Sequence, residues 1–133
     1  MIVQEELSMV AVPSMNDTHL EESLLINKLE TAAGSNDIES TLATLKELLA
    51  HTSIHFSEEE SMMQETKFPS YNSHKAEHDR HLSELAHIIK YFEEKKDTNA
   101  IMAYIKGNLK AWMLDHVKTM DTLMAEHFQS ANS

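Results

Sequence analysis

Cysteine is absent from the 133 residues, which excludes disulfides, thiolate-bound zinc, iron–sulfur clusters and cysteine nucleophiles together. Glycine and proline number two each. An all-β domain of this length needs turn residues about every 8–12 positions, so their scarcity points to long helices. Arginine occurs once, as Arg80, and Lys plus Arg total 11 against 22 Asp plus Glu, a net charge of −11. A phosphate polymer would be repelled, which argues against nucleic acid as a partner. The N-terminus, MIVQEELSMV, has neither a basic start nor an apolar stretch, and no run of about 18 apolar residues follows. No membrane association is expected, and a cytoplasmic location is.

What the chain does have is nine histidines. Its length suits one domain over 1–133, read as an irregular arm (1–16, containing Pro13) and a helical body (17–133). The first helix is placed at roughly 17–33, with Asp17 at its start and Gly34 as its C′ residue. Asn36 and Glu39 have capping-box spacing, and Ile38, Leu42, Leu45, Leu49, Thr52 and Phe56 recur every three or four positions, which predicts a second helix over roughly 38–66 that stops before Pro69. Ser70 or Asn72 caps a third, with the stripe His74, His78, His81, Leu85, Ile88 or Ile89, and Phe92. Asp97 or Thr98 caps a fourth over roughly 98–127, whose buried face is read as Ile101, Ile105, Leu109, Trp112, His116 and Leu123, with Gly107 as its weak point. Short connections make successive helices antiparallel, so the expected fold is all-α, an up-down-up-down antiparallel four-helix bundle. Closed around its own core, it is expected to be a monomer.

Spacing alone says little about the histidines, since nine of them give roughly 0.6 His-x-x-x-His pairs by chance and two occur, 51/55 and 74/78. Register says more. His55 and Glu59 share a face with Leu45 and Leu49, and His74 and His78 continue the stripe of Leu85 and Phe92. In this topology the start of the first helix, the end of the second, the start of the third and the end of the fourth meet at one end of the bundle. His19, His55, Glu59, His74, His78, His116 and Asp121 all sit there. Two carboxylates buried among imidazoles without a cation would cost several kcal/mol each. Nitrogen and oxygen donors without thiolate suit iron, zinc or manganese, and seven exceed what one such ion uses, so two ions bridged by the carboxylates are expected. Asp121 lies five residues after His116, about 140° away on a regular α-helix, which predicts either a local π-type widening there or an aspartate that reaches back across the helix.

The ordered motifs, His19 before an apolar helix, HFSEEESMM (55–63), H-x-x-x-H (74–78) and WMLDHVKTMD (112–121), resemble those of the bacterial hemerythrins, single-domain non-haem di-iron oxygen-binding proteins. The likeness runs from about residue 16 to the C-terminus. It implies two non-haem irons with an oxo or hydroxo bridge: His74, His78 and His116 on one, His19 and His55 on the other, Glu59 and Asp121 bridging. It further implies that O2 binds as hydroperoxide at the open position of the five-coordinate His19/His55 iron, for storage, delivery or sensing and not for catalysis. Leu24, Phe56, Met62, Met113 and Met120 are the candidate apolar wall around that position.

The sequence departs from the family pattern at Asn16 and Thr18, where Asp and Gln are usual, and at Gln4, near the place of an arm tryptophan. His81 stands where phenylalanine is usual, either a donor near bound ligand or a histidine at the core's edge. His51 is a candidate neighbour of the site, and His87 and His127 are read as solvated. So are Glu58 and Glu60, which flank the inward Glu59. A di-iron oxidase or iron-storage protein is the enzyme-class alternative, weakened because Glu-x-x-His occurs once, as Glu84 and His87. A nitric-oxide-binding or iron-handling bundle would use the same open position.

Overall fold

Pro13 opens the first helix and does not lie in an irregular arm. Its missing N–H costs nothing in a first turn and its fixed φ suits the helix, so the arm's described residues, 13–16, are helical. The computed structural model describes residues 13–131; the rest of the expected arm, Gln4 included, lies outside them. Four helices follow in order: α1 (Pro13–Gly34), α2 (Ile38–Glu65), α3 (Tyr71–Lys95) and α4 (98–131). No strand occurs among the described residues. No described helix is long and apolar enough to cross a membrane.

The connections are short, as expected, but their chemistry differs in detail. Gly34 is the last helical residue of α1, and the left-handed position falls on Asn36 (φ 56°). Asp37, not Asn36, caps α2, accepting from the Ser40 N–H at 3.1 Å. Asn36 is thereby free to accept from the Thr98 hydroxyl at 2.6 Å, which ties the α1–α2 turn to the start of α4. Lys67 (φ 54°) and Lys96 (φ 52°) reverse the chain at the other two turns. Asp97 caps α4, accepting from Asn99 and Ala100.

Each seam of the bundle carries a polar contact: Lys28 with Glu47 between α1 and α2, Lys46 with Glu93 between α2 and α3, Glu77 with Trp112 between α3 and α4, and Glu30 with Lys110 between α4 and α1. Such surface contacts are individually worth tenths of a kcal/mol. The larger contribution comes from a core in which Ile26, Leu29, Leu45, Leu48, Leu85, Phe92, Ile101 and Leu109 are all buried.

Helix α4 is not uniform. It widens to π geometry at Ile105–Leu109 and again at Val117–Asp121. The second widening is one of the two outcomes that the His116-to-Asp121 spacing predicts. An inserted residue also shifts the phase downstream, so Met124 and Ala125 are buried while Leu123, expected on the buried face, is 61% exposed. Trp112 is only half-buried.

Candidate metal centre

All seven side chains singled out in the sequence are buried and meet at one end of the bundle. α1 brings His19, α2 brings His55 and Glu59 one turn apart, α3 brings His74 and His78 one turn apart, and α4 brings His116 and Asp121 across its π segment. A π turn closes at i→i+5, which sets the two α4 residues side by side with His116 Nε2 at 3.1 Å from Asp121 Oδ1.

Each carboxylate divides its two oxygens between two sets of imidazoles. Asp121 Oδ1 faces His74 and His116 at 3.0 and 3.1 Å, and its Oδ2 faces His19 at 3.0 Å. Glu59 Oε1 faces His78 at 3.0 Å and His74 at 3.5 Å, whereas its Oε2 contacts His55 and lies 3.8 Å from His19. In every case the imidazole atom is Nε2. Two overlapping groups result: His74, His78 and His116 with Glu59 and Asp121, and His19 and His55 with the same two acids.

Hydrogen bonding alone does not satisfy this arrangement. His74 Nε2 and His116 Nε2 point at each other across 3.2 Å. His78 Nε2 and Glu59 Oε1 approach to 3.0 Å, yet neither has a hydrogen-bond partner. Convergent lone pairs in a dry interior suit a cation, and nitrogen with carboxylate oxygen suits divalent iron, zinc or manganese. Without a cation the cluster holds protons instead. Burial opposes charge on His19, His55 and His74, but the adjacent carboxylates outweigh it and raise them to about 9, 11 and 9. Glu59 and Asp121 are held below the usual carboxylate range, because imidazole contacts outweigh burial.

The family described as Hemerythrin HHE cation binding domain matches residues 11–128. The chain belongs to the hemerythrin family. Among relatives, bacteriohemerythrin of Aquifex aeolicus (strain VF5) is 30% identical over 112 residues, covering 84% of this chain and 86% of that protein. Myohemerythrin of Sipunculus nudus is 37% identical over 82 residues, covering 62% and 61%. A wild-type hemerythrin crystal structure shares the fold with a TM-score of 0.78 at 22% identity, covering 96% of each chain.

Around this hemerythrin cluster, several surrounding residues differ from the sequence reading. Leu24, a candidate wall residue, is 59% exposed. Phe56 and Met113 are buried, Met62 and Met120 half-buried. Phe56 stacks on the His78 ring, with centroids 3.8 Å apart and planes 5° apart. A cavity of about 50 Å³ between α1 and α2 is lined by Met15, Thr18, His55, Glu58, Glu59 and Met62, on the two-histidine side. His81 is buried, stacked on Trp112 at 3.7 Å, and outside both donor groups. His51 contacts Glu21 on the surface. His87 is exposed as expected, whereas His127 donates to the Thr66 carbonyl at 2.7 Å and fastens α4 to the end of α2.

Two residues near the site escaped sequence reasoning. Glu60, read as solvated, accepts from His78 Nδ1 at 3.0 Å. Glu22 is buried and accepts from His55 Nδ1 at 2.9 Å and from the Thr52 hydroxyl at 2.7 Å. The available signal was weak: Glu22 lies three residues after His19, hence on the same helix face.

Proposed function

We propose that this chain binds O2 reversibly at a non-haem di-iron centre, for storage, delivery or sensing, and does not turn over a substrate. The observation that carries this reading is the asymmetry of the donor set, three imidazoles on one side and two on the other, with two shared carboxylates. His74, His78 and His116 would hold one ion, His19 and His55 the other, and Glu59 and Asp121 would bridge them. With one imidazole fewer, the second set would leave room at its ion for one more small ligand.

Iron bound there would supply the electron pair that O2 takes on binding and returns on release. The residues set the surroundings. Five neutral imidazoles would add no charge, and the two carboxylates would offset much of the charge that two divalent ions bring into a dry interior. Met15 and Met62 supply apolar surface to the cavity of about 50 Å³ beside His55, near the room that one or two small molecules need. Phe56, stacked on His78, holds that ring against rotation. Residues 1–133 are taken as one domain built around this centre.

Anaerobic loading of the reduced chain with Fe(II), followed by admission and removal of O2, tests the reading through visible spectra and iron content. Reversible colour at two irons per chain is expected. Irreversible oxidation on the first exposure, or a single bound iron, would overturn it.

A further inference from the structure

Of the five imidazoles in the cluster, two have their outer nitrogen backed by a carboxylate, and the two carboxylates are in different surroundings. Glu60, behind His78, has a side chain 20% exposed and lies 3.7 Å from the Lys75 ammonium, so water and a cation share its charge. Glu22, behind His55, is 4% exposed. Its Oε2 accepts from His55 Nδ1 and its Oε1 from Thr52, and among the described residues no Lys or Arg pairs with it. Nδ1 of His19, of His74 and of His116 is buried without a hydrogen bond. A buried carboxylate costs several kcal/mol unless a charged partner compensates it. His55 is the ring through which a cation bound at its Nε2 would provide that compensation.

From this geometry we infer that Glu22 is a positioning residue of the metal centre: it fixes His55 with Nε2 directed inward and strengthens that nitrogen as a donor on the two-histidine side. The inference rests on the assignment of His55 as a ligand. A carboxylate accepting from the outer N–H of an imidazole locks its tautomer and raises the basicity of the inner nitrogen. That side has one imidazole fewer than the other, so an unshared negative charge behind one of its two histidines partly makes up the difference. A stronger donor there favours retention of a divalent ion and stabilises its higher oxidation state.

Glu22→Gln tests the charge with the shape retained, because the amide oxygen still accepts from His55 and the amide nitrogen can donate to the Thr52 oxygen. Zn(II) and Co(II) binding to the full metal-free chain is measured by calorimetry and by Co(II) visible absorption, without O2. Two ions are expected to bind still, the weaker about tenfold more weakly, and the midpoint potential of the iron-loaded chain is expected to rise. Glu60→Gln should weaken either affinity less than Glu22→Gln does, because water and Lys75 already share that charge. Glu22→Asp, which keeps the charge, should retain more affinity than Glu22→Gln, a comparison that a role in packing alone would reverse. Wild-type affinities and potential in Glu22→Gln would overturn the inference. So would an equal effect of Glu60→Gln, or an Asp variant as weak as the Gln variant or weaker. Should Glu22→Gln fail to fold, wild-type-like affinity in Glu22→Asp supports the inference and a tenfold loss overturns it. Failure of the wild type to bind O2 while holding two Zn(II) ions would sink the proposed function and leave the role of Glu22 intact.

Discussion

His78 and His81 lie one turn apart on α3, both buried, yet only His78 has an inward nitrogen facing a carboxylate. His81 lies flat on Trp112, and burial lowers it to about 4. A folded-state value below the unfolded 6.5 means that the unfolded chain takes up a proton first as pH falls from 6.5 towards 4. Folding stability should therefore drop across that window, by up to about 3 kcal/mol. His81→Phe removes this source of loss. Urea unfolding of the metal-free protein at pH 6.5 and 4.5 should show a smaller decline in the variant, and equal declines would refute the assignment. Residues of this kind explain what was legible. Of the seven cluster residues, His55, Glu59, His74, His78 and His116 could be read because they fall in register with an apolar stripe, and His19 and Asp121 because the topology brings them to the same end of the bundle. Glu22 and Glu60 could not, because an acid beside a ligand histidine looks in sequence like an ordinary solvated helix residue, and only the approach of α1 and α3 to α2 gives it a partner.

At the scale of elements, α4 decides whether the site forms. The five-residue spacing of His116 and Asp121 predicts either a widening or an aspartate reaching back, and the π turn at 117–121 is the first of these. The widening also shifts the phase downstream, so Met124 takes the buried place that a regular α pattern gives to Leu123. Thr119 lies in that turn and is exposed. Deleting it should let the segment close to α pitch with His116 and Asp121 four positions apart, about 40° around the helix, so that both still face the cluster. Metal analysis should then find two ions per chain at unchanged helical circular dichroism; fewer would show that the cluster needs the wider turn itself and not only the two residues on one face. The first widening, at 105–109, contains Gly107, which does not have a positive φ, and an added Cβ would meet nothing within 4 Å. Gly107→Ala should therefore stabilise the protein by about 0.5–1 kcal/mol, seen as a higher Tm with ion content unchanged. A lower Tm would mean that the π geometry itself depends on the glycine.

For the whole molecule, the all-helical bundle was legible because two glycines, two prolines and long stripes leave few alternatives, whereas the ionisation of its interior depends on contacts that no stripe reveals. In the metal-free chain His19 and His74 are raised to about 9 and His55 to about 11, and Glu59 and Asp121 are depressed. A raised histidine contributes stability that is complete below its unfolded value of 6.5 and is lost as pH rises through its folded value. A depressed acid contributes stability that is present above its unfolded value, near 4, and is lost as pH falls. The metal-free bundle should accordingly be most stable between about pH 4.5 and 6.5 as far as this cluster is concerned, and weaken towards pH 9. A bound cation takes the place of the Nε2 protons, so ion binding releases protons and tightens as pH rises. An ion at about 100 times its Kd stabilises the folded state by about 2.7 kcal/mol, and as Kd falls with pH that figure grows at fixed ion concentration. Scanning calorimetry with and without Zn(II) at pH 6.5, 7.5 and 9 should show a Tm difference that widens with pH as the metal-free protein weakens and the loaded one does not. A constant difference across that range would mean that the cluster does not exchange protons for metal.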